Sequence, residues 1–354
     1  MLEIYAGDTA LKTIKEQGFS PRLFNTFLGA SGGPKWFTLY GLDKYIFGEF
    51  FQGREQPLNL IGSSVGAFRT ACFAQKDPIS ALNRFVKEYC GTVYSERVTP
   101  AEVTQKARIL LGVLFGDNGI DEIINNPVYK AHFIVTKNHG FVGSENRLIQ
   151  GIGLLKSMLL NSIDRSLLKH QYQRYIFQTQ DSQLTLRDPA NIPTKTITLS
   201  TANIKEALLA SGAIPLVMQG IKDIAGCPKG MYRDGGLIDY HFDIDINNKG
   251  LVLYPHFNAI LKAGWFDKKL TRKVRAQHYD NTVLLCPSQR FIEALPYGKI
   301  PDRSDFSALE PEKRAQYWQR VCHESEKLAQ EFSAFYQQQD IGRIKNINQL
   351  LDPY

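Results

Sequence analysis

The stretch that most limits the fold is Gly62-Ser63-Ser64-Val65-Gly66, set between the apolar run Leu58-Asn59-Leu60-Ile61 and a helix-like run that begins at Ala67. In that context a G-x-S-x-G sequence describes a sharp strand-to-helix turn that lifts one serine hydroxyl clear of a sheet. Glycine is needed on both sides, because the turn strains the backbone and the neighbouring chain passes close by. The helix that follows points its first N–H groups at charge developing near the serine. Ser64 is therefore the candidate nucleophile, with Gly62 and Gly66 as its supports. Taken alone, the same residues also read as an ordinary βα turn.

Around this turn, strand-like and helix-like runs alternate. Residues 22–28 read as a buried strand, followed by a glycine-rich turn and a helix over 36–51. Residues 58–61 form the second strand, with a helix over 65–74 behind it; further strands are expected at 132–136, 196–199, 251–254 and 283–285. That alternation predicts an α/β fold in three layers, a mostly parallel sheet with helices on both faces. The apolar helical stretches at 90–127 and 148–175 are either ordinary core or a lid or lipid-facing amphipathic surface. Residues 311–339 read as one long charged helix with a solvated face. No repeat or linker divides the chain, so 1–354 is expected to be a single domain, with an insertion at about 90–175 and a helical extension at about 305–354.

The composition, 43% hydrophobic and 22% charged over 354 residues, is that of a globular protein. A net charge of +7 permits attraction to an anionic surface. Lys and Arg are dispersed along the chain and no nucleic-acid motif accompanies them, which leaves a basic soluble protein, with adsorption to a membrane as the secondary reading. The five cysteines, at 72, 90, 227, 286 and 322, contain no C-x-x-C pair, which argues against a disulfide framework or a cysteine zinc site. They fit a cytoplasmic location. Glu3 and Asp8 interrupt any leader-like start, and no apolar run approaches the roughly 18 residues that span a bilayer.

A serine nucleophile needs a base and donors for an oxyanion. Gly29-Ala30-Ser31-Gly32-Gly33-Pro34-Lys35 supplies candidate donors in the N–H groups of Gly32 and Gly33, with Val65 as a third and Lys35 adding positive charge at the rim. A phosphate-binding P-loop does not fit, because Pro34 intervenes and Trp36 follows the lysine. Downstream lie Ala210-Ser211-Gly212-Ala213-Ile214-Pro215 and Asp234-Gly235-Gly236. The latter is a hairpin turn, or else a carboxylate that its glycines allow to approach the serine and take its proton directly.

With those four motifs in this order, the chain resembles the patatin-like phospholipases, a family of acyl hydrolases with a Ser–Asp dyad. The resemblance runs from Phe24 to about Asp239. It matches Gly32, Gly33 and Lys35 to the family's glycine-rich oxyanion turn, Ser64 to its nucleophile, residues 210–215 to A-S-x-A-x-P and Asp234 to its base. Ser31 and Trp36 depart from the outer positions of the oxyanion motif. The resemblance implies a lipid or acyl-ester substrate, hydrolysis through an acyl-enzyme, and no metal or cofactor.

A histidine-assisted esterase or thioesterase is the alternative, with His241 or His256 ahead of His278 and His323. His241 is also a candidate substrate-lining residue, and with Asp239 and Asp243 beside it a metal site can be imagined. A third reading is a lipid-binding protein whose catalytic turn is vestigial.

Overall fold

The structure, a computed structural model, describes residues 1–247 and 250–351. Among these residues, 11 strands form one mixed, mostly parallel sheet. Its centre is parallel: Thr282–Pro287, Leu251–Pro255, Phe24–Gly29, Leu58–Ser63 and Tyr129–Asn138 lie side by side in that order. Tyr172–Gln178 then runs antiparallel to Tyr129–Asn138, with Thr194–Thr198 parallel to it at the edge. At the other edge, Leu2–Ala6 lies between Thr282–Pro287 and Lys345–Asn346.

Successive side chains of the central strands enter two different cores. Phe27, Leu60 and Phe133 join a large cluster with Phe68, Leu208, Trp318 and Phe332 from the helices. Leu28, Ile61 and Ile134 point the other way, against Phe242, Phe257 and Tyr279. The period-2 alternation of a strand thus gives each helical layer its own apolar floor, which makes the fold a three-layer α/β arrangement.

Several elements differ from the sequence reading. The helix expected over 36–51 is three pieces: a 3-10 turn Gly33–Leu39, an α-helix Tyr40–Tyr45 and a π-helix Ile46–Phe50. Packing imposes the irregularity. Gly41 sits so close to Glu326 that a Cβ there would come within 2.6 Å of its backbone nitrogen, and Gly41 N–H donates to Ser325 Oγ. That same serine divides the C-terminal helix into Pro311–Glu324 and Glu326–Gln338, whose buried faces carry Trp318 and Phe332. The helical stretch expected over 148–175 is an α-helix to Ile163 and a 3-10 helix over Arg165–His170, and its last residues belong to the strand Tyr172–Gln178. The C-terminal segment contributes an edge strand to the main sheet rather than standing outside it.

Candidate active site

Sheet register brings the two dyad candidates together. Leu58–Ser63 ends with Ser63 opposite Ile134 of the long strand Tyr129–Asn138. Met231–Asp234 approaches along the same lane from the other direction and ends with Asp234 opposite Val135. The two strands therefore meet end to end. Ser64 Oγ donates to Asp234 Oδ2 at 2.8 Å, and the second carboxylate oxygen accepts from Gly236 N at 2.7 Å.

Ser64 holds φ 55° and ψ −130°, a conformation that costs a non-glycine residue about 1–3 kcal/mol. The surroundings enforce it. A Cβ on Gly66 would lie 1.9 Å from Gly29 O, so only glycine lets the helix Val65–Phe73 seat so tightly against the first parallel strand. Gly62 closes the other side against Gly66 and Ala67. Gly235 has a similar constraint, facing the carbonyl of Ile134.

The 210–215 segment braces both members of the pair. Ser211 Oγ accepts from Ser64 N at 3.0 Å and donates to Ile134 O at 2.7 Å. Ala213 O accepts from Asp234 N. The motif was visible in the sequence; its role as a clamp required the structure.

Gly33, Ser64 and Val65 line a cavity of about 890 Å³. Among the described residues, nothing accepts from the backbone N–H of Gly32, Gly33 or Val65, and the helix Val65–Phe73 starts at this point. Gly32 itself is off the cavity wall and packs against Phe257, whereas Gly33 takes φ 57° and faces the cavity. One wall comes from Tyr89, Val98 and Leu110, the other from Arg303, Phe306 and Arg314. The C-terminal region thus forms part of the site, which its charged sequence gave no means of reading.

Lys35 does not supply free positive charge, because Asp302 holds its ammonium at 2.7 Å. On the cavity side, next to Gly33, stands Arg303, whose Nε lies 2.9 Å from where a Gly33 Cβ would be. Burial raises the Asp234 carboxyl above its ordinary pKa, while Arg303, the Ser64 hydroxyl, Gly236 N–H and Lys268 pull the other way. Lys268 is itself pushed down to about 8, by burial and by repulsion from Arg303 and Lys35.

The histidines lie elsewhere. His241 is buried behind the oxyanion turn, its Nδ1 accepting from Lys262 N, and it is not on the cavity wall. Burial and the adjacent His256 hold it well below its ordinary pKa, so it stays neutral. His278 bonds Asp243 at 2.6 Å, and His323 is two-thirds exposed. None bonds to Ser64 or Asp234. Asp239 is held by Arg174 through two contacts of 2.6 and 2.8 Å, so the imagined cluster around His241 is dispersed into separate ion pairs.

Compared with models of known protein families the chain matches none, and a search of curated proteins likewise returns no match.

Proposed function

We propose that the protein is a serine acyl-ester hydrolase acting on lipid substrates through a Ser64–Asp234 dyad, as its resemblance to the patatin-like phospholipases implies. The observation that carries this reading is the 2.8 Å bond from Ser64 Oγ to Asp234 Oδ2 at a strained turn opening onto a largely apolar cavity. Asp234 takes the proton as Ser64 Oγ attacks the ester carbonyl. The N–H groups of Gly33 and Val65 receive the oxyanion at the N-terminus of the helix Val65–Phe73, with Gly32 behind them. Asp234 then protonates the leaving alcohol, and afterwards draws a proton from water to release the acyl group. The cavity volume suits one fatty-acyl chain with part of its alcohol. Five thiols, none of them in a disulfide, suit a reducing compartment such as the cytoplasm.

The test uses a chromogenic fatty-acyl ester together with a fluorophosphonate probe. Wild type turns over the ester and is labelled. Ser64→Ala loses both activities, and Asp234→Asn loses turnover by at least about 10³-fold with the fold intact. Labelling of wild type at a residue other than Ser64, or lipid binding without labelling, would reject the reading in favour of a vestigial site.

A further inference from the structure

The helix Arg147–Ile163 is built inside out. Its buried residues are Gln150, Gly153, Leu154, Ser157 and Asn161, and polar bonds fasten them to the body. Ser157 Oγ bonds to Gln171 and Tyr172, Asn161 Nδ2 donates to Asp267, and Gln150 Oε1 accepts from Leu216 N. The solvent side carries Leu148, Ile152, Leu155, Leu159 and Ile163, between 57% and 80% exposed. At 3.6 residues per turn those five lie within about 80° of one another around the helix. A surface helix of a globular protein carries the opposite arrangement. Exposed Phe141, packed beside Gly153, widens the apolar area.

Cations frame this face. Arg147 and Lys156 stand exposed to either side of the stripe. The run 268–275 contributes exposed Lys268, Lys269, Lys273 and Arg275, with Arg272 paired to the buried Asp267 at 3.0 Å, a local concentration that the chain-wide dispersal of charge conceals. It is tied to the end of the helix by Arg272 Nη2, which donates to Asn161 O at 2.8 Å. Among the described residues no helix is long and apolar enough to cross a membrane.

We infer that this face docks the protein on an anionic lipid bilayer, the helix lying in the plane of the interface with its apolar stripe among the acyl chains and the framing cations at the headgroups. Pairing with a second copy fits less well. The stripe lasts about two heptads, short of the three to four of a coiled coil. The helix also adjoins the site: Gln150 holds Leu216, and the next residue, Val217, is both exposed and part of the cavity wall. The helix is thereby linked to the cavity wall through one hydrogen bond and one residue of chain.

The experiment uses full-length Ser64→Ala protein, so that vesicles stay intact, with phosphatidylcholine vesicles prepared with and without phosphatidylglycerol. Binding does not require catalysis, so failure here is separable from failure of the hydrolase reading. The protein is expected to co-sediment with the anionic vesicles, at least about tenfold more weakly with neutral ones, and to be released by salt. Adding Leu155→Asp and Leu159→Asp should weaken binding at least about tenfold, with melting temperature and helical dichroism unchanged. Leu155→Ser with Leu159→Ser gives the same comparison should the aspartates disturb the helix. Lys156→Glu with Lys269→Glu should remove the preference for anionic vesicles. Absence of binding to anionic vesicles, or binding unaltered by the stripe variants, would overturn the inference; a dimer that those variants split, with vesicle binding unchanged, would assign the face to a second copy.

Discussion

Burial disfavours the ionised form of Asp234, and this has opposite consequences for stability and for turnover. Its folded pKa lies above the unfolded value, so the folded state binds the proton more tightly. Stability from this group is therefore present at low pH and lost as pH rises through the folded pKa. Asp234→Asn should raise the thermal midpoint at pH 7, leave it nearly unchanged below the ordinary carboxylate range, and abolish hydrolysis; melting curves at the two pH values check this. Turnover requires the ionised form, so the acid limb of kcat/KM should stand above the ordinary carboxylate range. Arg303 opposes the upward shift, so Arg303→Gln should move that limb to higher pH, as a pH–rate profile would reveal. Ser211→Ala leaves the Ser64 N–H and the Ile134 carbonyl without their hydroxyl partner. The expected cost is about 1–2 kcal/mol in chemical denaturation, with kcat reduced roughly tenfold as the nucleophile's turn loosens.

At the scale of elements, the two strands leading into the glycine turn and Ser64 were legible because each is a short apolar run that reaches glycine, whereas Met231–Asp234, which carries Asp234, was not read as a strand. Residues 24–29 and 58–63 have that form, and the sequence reading located both to within two residues. Tyr172–Gln178 was missed because its buried Arg174, neutralised by Asp239 and Asp188, breaks the hydrophobic pattern. The 3-10, α and π pieces over 33–50 could not be read, since what sets them is contact with a helix nearly 300 positions away. Arg303 was invisible for a related reason: no local motif marks a side chain that reaches a glycine turn across the cavity. Another buried contact steadies these pieces. Arg69 from the helix behind Ser64 grips Asp43 at 2.7 and 2.9 Å with neither side chain exposed. Asp43→Ala strands the guanidinium and should cost about 3–5 kcal/mol, measurable as a lowered urea midpoint; replacing both partners with apolar residues should cost much less.

The whole molecule draws its site from both halves of the chain. Arg303 and Phe306 complete a cavity that opens at Ser64, and the residues after them return to the sheet at Lys345–Asn346. Ile344, Ile347 and Leu351 are buried there. Removing residues 341–354 should destabilise the protein by roughly 5 kcal/mol or more, leaving it unfolded or marginal in a thermal scan. The placement of Leu2–Ala6 also bears on biosynthesis. Its neighbours in the sheet are 282–287 and 345–346, so the strand stays unpaired while the roughly 275 residues that separate it from the nearer of them are synthesised. Closing so long a loop is slow, and until it closes the emerging chain exposes an apolar edge. A nascent chain that has not yet reached residue 282 is therefore a natural client for a chaperone.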